Sequence, residues 1–230
     1  MFTIFLMGMV PPILLILYMY RLDRIEREPF GLLLKLFLLG GCTTIAAGIL
    51  EEIGVGILDA LAENPGNLNY QLAENFLIVA VAEEGVKYFA LRRTTWYDPN
   101  FNYRFDAVVY SVAVSLGFAA FEYVMYFLNF GLGVAPIRAI TAIPMHCITG
   151  IFMGHYYGQA KFQEYYHSWN GMYAYNVLAY VIPVLLHGFY DFAAGSEDEL
   201  LSLLFLAYVV IIDIIAFLSV RHYAKQDTAV

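Results

Sequence analysis

Glu83-Glu84-Gly85-Val86-Lys87 interrupts an apolar run that begins at Phe76 and resumes with Tyr88-Phe89-Ala90-Leu91. On a helix Lys87 lies four residues after Glu83 and three after Glu84, so carboxylate and ammonium can meet on one face. Three unpaired charges at mid-bilayer would cost roughly 8 to 10 kcal/mol together. They therefore belong against a protein interior or a wet cavity. Three further apolar stretches carry groups that lipid should reject. Glu122 follows Gly117-Phe118-Ala119-Ala120-Phe121, His146 comes just after Pro144, and His187 precedes Asp191 by four residues, on one helical face.

Carboxylates, imidazoles and a conditioning cation suit the activation of water. One glutamate can take the proton while a histidine or a second acid stabilises the developing oxyanion. Adjacent Glu83 and Glu84 cannot both ionise cheaply in a low dielectric, so their titration belongs to the group. The same residues could bind zinc: Glu122, His146 and His187 form a two-histidine, one-carboxylate shell with an open position, leaving Glu83 or Glu84 as base. Both chemistries stay open. The His-Glu-x-x-His and Gly-x-Ser-x-Gly patterns of zincins and serine hydrolases are absent.

Such residues need helices that cross a bilayer. The 230-residue chain is 61% hydrophobic and 14% charged, against about 25% charge in soluble domains. It lacks the alternation of a membrane barrel, so the expected fold is all-α: a single membrane-embedded domain, 1–230, with seven spans. These lie near 2–20, 31–61, 72–92, 105–130, 135–158, 172–194 and 199–221, the second tilted or broken. Breakers separate them at Glu28-Pro29, Asn64-Pro65-Gly66, Asp98-Pro99-Asn100, Gly131 to Pro136 and Gly195-Ser196. The first reads as a retained span, since Arg21, Arg24 and Arg27 follow rather than precede it.

Arg and Lys flank alternate linkers, whereas the other linkers hold Asp59, Glu63 or Glu197-Asp198-Glu199; Arg138 is the exception. This places the N-terminus outside and the C-terminus inside. Counted from the outer surface, Glu83 is roughly 17 Å deep, His146 roughly 15 Å, Glu122 roughly 12 Å and His187 roughly 10 Å. All fall in the outer half, with Lys87 deeper and Asp191 shallower, at opposite edges of the cluster. The net charge of −8 includes no basic patch, so nucleic acid is not an expected partner.

Taken in order, Glu83-Glu84-x-x-Lys87, Phe118-x-x-x-Glu122, His146 with Gly150 and Gly154, and His187-Gly188-Phe189-Tyr190-Asp191, with Tyr20, Asp23 and Glu28-Pro29 upstream, resemble the PrsW family of intramembrane proteases, relatives of the CAAX prenyl proteases. The resemblance implies a plasma-membrane endopeptidase of site-1 type. It implies a partner that is a membrane-anchored protein substrate, an anti-sigma factor cut near its extracytoplasmic side to start regulated intramembrane proteolysis. It implies catalytic roles for Glu83, Glu84, Lys87, Glu122, His146, His187 and Asp191, and leaves zinc against a metal-free glutamic mechanism undecided. Prenyl-protease relatives usually carry histidine where this chain has Glu122, which makes a prenylated substrate the weaker expectation.

Read from the residues alone, a proton-coupled transporter or a non-catalytic membrane scaffold are the alternatives. The first is disfavoured by the lack of an inverted repeat. Glu51-Glu52 fall about 15 Å below the outer surface by helical rise, and either line an access cavity or are structural. Cys42 and Cys147 are expected to be buried free thiols, Asp213 a packing acid, and the tail Gln226 to Val230 disordered.

Overall fold

The computed structural model describes residues 2–130, 135–196 and 198–230. The breaker at Gly131 to Pro136 therefore lies largely outside the described residues, and Glu197 wholly so. The helices are α1 (Phe2–Leu22), α2 (Phe30–Leu61), α3 (Leu68–Leu72), a π-helical segment (Ala73–Val79), α4 (Ala80–Thr95), α5 (Asp106–Phe130), α6 (Ala135–Tyr165), α7 (Trp169–Ala194) and α8 (Glu199–Lys225). With α3, the π segment and α4 forming one rod, seven rods stand where seven spans are expected. Among the described residues, four helices (α2, α5, α7 and α8) are long and apolar enough to cross a membrane by length and composition. The rod carrying Glu83, Glu84 and Lys87 is not among them: its charges and its π interruption break the apolar stretch.

Helix α5 is the axis of the bundle. Every residue from Phe105 to Ala120 is buried, and α1, α2, α4 and α6 pack around it. Small side chains allow this. A Cβ at Gly40 would run into the Val114 carbonyl, and one at Gly117 into the Phe37 carbonyl, so α2 and α5 touch backbone to backbone through two glycines. Gly150, Gly154 and Gly158 give α6 the same close approach to α5. Helix α8 is peripheral, burying only Ile212, Ala216 and Val220 along a one-turn stripe.

Of the two alternatives for the second span, tilted or broken, the break is ruled out: helix α2 is continuous over its 32 residues. Two expectations need correction. Cys42 is exposed on the outside of α2, while Cys147 is buried. The tail is docked rather than disordered: Arg104 N–H donates to Thr228 O (3.0 Å), Val230 N–H to Asn102 O (2.9 Å), and Asp227 Oδ1 accepts from Phe105 N–H (2.9 Å). Residues 226–230 thereby supply acceptors and a donor to the irregular segment before α5, whose backbone has no helical partners. With Asn102 Nδ2 on Glu26 Oε2 (3.0 Å), the α1–α2 linker, the α4–α5 linker and the tail gather at one end of the bundle.

Candidate active site

The π segment sets up the first contributor. Its wider turn bonds Ala80 N–H to Asn75 O, five residues back. The extra residue advances the phase of the helix that follows by about 100°. Leu77 and Phe89 then face outward, both 69% exposed, while Glu83, Glu84 and Lys87 face inward, 5%, 0% and 0% exposed. Gly188 allows this segment to approach α7: a Cβ there would lie 2.6 Å from Phe76 Cδ1. The glycine beside His187 is thus a packing requirement that brings α7 against the Glu83 rod.

Lys87 is the hub. Its ammonium donates to Glu84 Oε1 (2.8 Å) and Glu83 Oε2 (3.1 Å), meets His146 Nδ1 (3.0 Å), and lies 4.1 Å from the centre of the Phe118 ring. An ammonium has no lone pair, so Nδ1 accepts and Nε2–H of His146 donates to Glu122 Oε2 at 2.9 Å. On the other side, His187 Nδ1 meets Glu84 Oε1 (2.8 Å) and its Nε2 meets Asp191 Oδ2 (3.1 Å), with Glu83 Oε2 at 3.8 Å. The two imidazoles stand nearly perpendicular, 5.1 Å apart. One chain of contacts therefore runs Asp191, His187, Glu84, Lys87, His146, Glu122. All seven residues singled out from the sequence are brought together. Depth alone placed Lys87 at an edge; its long side chain instead reaches the middle.

Glu83, Glu122 and Asp191 line a cavity of about 840 Å³. Gly66, Tyr70, Asn129 and Gly195 place its mouth at the end of the bundle opposite the tail. Glu51 and Glu74 also line it, and among the described residues no Lys, Arg or His does; Glu52 is exposed away from it. Glu84, His146 and His187 sit behind this wall. Among the described residues, Glu83, Glu84, Glu122 and Asp191 share the Lys87 ammonium and the two imidazoles. Sequence reasoning missed the π segment and Glu74; no residue type marks either.

A metal can be tested against this donor set. Glu83, Glu84, His146 and His187 each offer an atom within 4.8 Å of the others, and Glu84 Oε2 is buried without a hydrogen-bond partner. Imidazole nitrogen and carboxylate oxygen are the donors zinc prefers, so the residues fit such an ion, provided the Lys87 ammonium yields its place beside them. Glu122 is outside this compact set and reaches it through His146.

Comparison with known proteins agrees with the geometry. The family described as "PrsW family intramembrane metalloprotease" matches residues 28–219. Proteins named Protease PrsW are similar along most of their length: that of Geobacillus kaustophilus is 31% identical over 86% of this chain and 83% of its own. That of Clostridioides difficile is 31% identical over 91% and 86%, and that of Oceanobacillus iheyensis 29% identical over the whole of both. No solved structure matches. The chain belongs to the PrsW family and is a multi-pass intramembrane protease.

Proposed function

We propose that this protease cuts a membrane-anchored protein on the extracytoplasmic side of the bilayer, with Glu83 as the base that activates water. The observation that carries the assignment is the split between the adjacent glutamates. Glu83 faces the cavity, whereas Glu84 is fully buried with one oxygen shared between Lys87 and His187. A base must reach both water and substrate. Glu84 instead fixes the ammonium and the imidazole that surround the reacting atoms, and Asp191 orients His187 from the cavity side. Glu122 holds His146 by its Nε2–H, so that the ring's Nδ1 stays turned to Lys87 and the centre. Lys87 supplies positive charge toward which an oxyanion can develop.

Zinc held by Glu83, Glu84, His146 and His187 would polarise the scissile carbonyl and acidify bound water. The family's description as a metalloprotease favours a metal ion, and the Lys87 ammonium seated beside these donors favours the glutamic alternative. The cavity mouth lies at the end away from the Arg-rich linkers, which by the charge bias of loops is the outer end. A substrate would present the segment just outside its own span. The resemblance in the motifs points to an anti-sigma factor.

The test is cleavage of a single-span substrate by purified protein in liposomes, with the cut site mapped by mass spectrometry. Glu83→Gln should lower kcat by about 10²- to 10⁴-fold with the fold retained. A Glu83→Gln enzyme of wild-type rate, or a cut on the tail side of the membrane, refutes the reading. Metal content of the same preparations, compared with His146→Ala and His187→Ala, separates the two mechanisms.

A further inference from the structure

A second group of acids lies at the opposite end of the bundle, outside the machinery above. Asp23 and Glu28 come from the α1–α2 linker and Asp106 is the first residue of α5; they are 2%, 3% and 0% exposed. Each offers a carboxylate oxygen within 4.8 Å of the other two. Burying three carboxylates together is costly unless something positive is held between them. No Lys or Arg forms an ion pair with any of them among the described residues.

The side chains are held so that oxygens are left over. Asp106 Oδ2 accepts the backbone N–H groups of Asn102 (3.0 Å) and Tyr103 (2.6 Å), while its Oδ1 is buried without a partner. Asp23 Oδ2 is likewise buried and unpartnered. Glu28 Oε2 accepts the Tyr110 hydroxyl at 2.5 Å. The donors pin one oxygen of Asp106 and one of Glu28 in place, and the leftover oxygens belong to the same cluster. A proton shared between Glu28 and Asp106 would serve that pair but leave Asp23 Oδ2 orphaned. A cation serves all three.

We propose that Asp23, Glu28 and Asp106 form a site for a hard divalent cation of the magnesium or manganese class. An all-oxygen donor set with no histidine or cysteine selects such ions over zinc, and water completes their coordination. The ion would staple the α1–α2 linker to the start of α5, beside the docked tail whose Asp227 accepts from Phe105. It is a structural site, separate from the histidine cluster in donor type and in position.

Full-length protein stripped with EDTA and exchanged into detergent buffer would be titrated with Mn²⁺, reading bound ion by paramagnetic resonance and thermal stability with Mn²⁺ or Mg²⁺. The wild type and a His146→Ala/His187→Ala variant should each bind one Mn²⁺ at this site and gain stability from Mg²⁺. Asp106→Asn and Glu28→Gln, which keep their acceptors, should weaken that binding at least tenfold; Glu84→Gln should not. If the histidine-deleted protein binds no saturable Mn²⁺, the proposal is overturned, whether or not the acid variants fold. It is also overturned if Asp106→Asn binds Mn²⁺ as the wild type does. An Asp106→Asn protein with raised stability and a wild type insensitive to Mg²⁺ would identify a shared proton instead.

Discussion

Replacing Lys87 by methionine should be the most damaging single change in the membrane interior. The ammonium is fully buried, touches two carboxylates and an imidazole within 3.1 Å, and sits over the Phe118 ring. Methionine fills most of the volume, so the loss is electrostatic rather than a cavity. Glu83 and Glu84 would be left without their main positive partner, and breaking a buried pair in this way costs about 3 to 5 kcal/mol. That is a large share of a total stability of about 5 to 15 kcal/mol. Adding Glu84→Gln to Lys87→Met removes the stranded charge and should recover much of the loss. The double-mutant cycle should give a coupling of about 1.5 to 3 kcal/mol. Equilibrium unfolding in mixed detergent micelles measures all four corners, and cleavage by the same samples should be abolished in every variant lacking the ammonium. If Lys87→Met changes stability by under about 0.5 kcal/mol, or if the two substitutions are additive, Lys87 is not the hub that its contacts describe.

Three other perturbations probe the supports around the site. Gly188→Ala pushes a methyl group toward Phe76 and should cost about 1 to 3 kcal/mol by overpacking. It should also slow cleavage by displacing His187, with partial recovery on adding Phe76→Leu; wild-type melting and rate for Gly188→Ala would contradict the close approach. Asp227→Ala removes the acceptor of Phe105 N–H and should cost about 1 kcal/mol, as loss of a helix cap does. Hydrogen exchange should rise at residues 102–105 and stay unchanged around Glu84. In EDTA, stability should fall as pH rises from about 4.5 to about 7. Burial, then Asp227, pushes Asp23 up from 3.8 to about 6, and burial pushes Glu28 up from 4.5 to about 7. The folded state therefore holds these protons more tightly than the unfolded chain does, and raising the pH through that window removes the advantage. Asp23→Asn should flatten the slope; an unchanged slope would show that other groups produce it.

The contrast between legible and hidden features follows from what hydropathy measures. It reports where a chain can sit in lipid, so the ends of α1 and α5 fall within about two residues of their expected limits. It does not report where a helix stops. Helix α6 continues to Tyr165 through Gln159, Lys161 and Glu164, because these are adequate helix formers in water. Lys161 Nζ then donates to Trp96 O (3.0 Å) at the end of α4 and to Glu164 (2.8 Å) on its own helix. Tail docking was hidden for a related reason: Gln226 to Val230 has too little apolar surface to announce a fold, yet its backbone pairs with a segment more than 120 residues earlier.

The site was legible to a different depth. Charges in lipid are costly, so each of its residues stood out where it occurred. Their partners did not. Helical rise locates a Cα, whereas contact is made by the tip of a side chain. Lys87 spans the gap between its own turn and His146, which is why an apparent edge residue becomes the centre. The phase that aims Glu83 at the cavity and Glu84 at the interior depends on a π turn formed by Ala73–Val79, a stretch whose composition would serve an ordinary α-helix equally well. Two neighbouring glutamates with one sequence signature thus acquire different surroundings, one at the cavity and one behind it, from the winding of the residues before them. If that turn were regular, roughly 100° of rotation would carry Glu83, Glu84 and Lys87 together away from His146 on α6 and His187 on α7. The placement of Glu83 is a property of backbone geometry upstream of it, where Gly188 leaves room for Phe76 of the π segment to pack against α7.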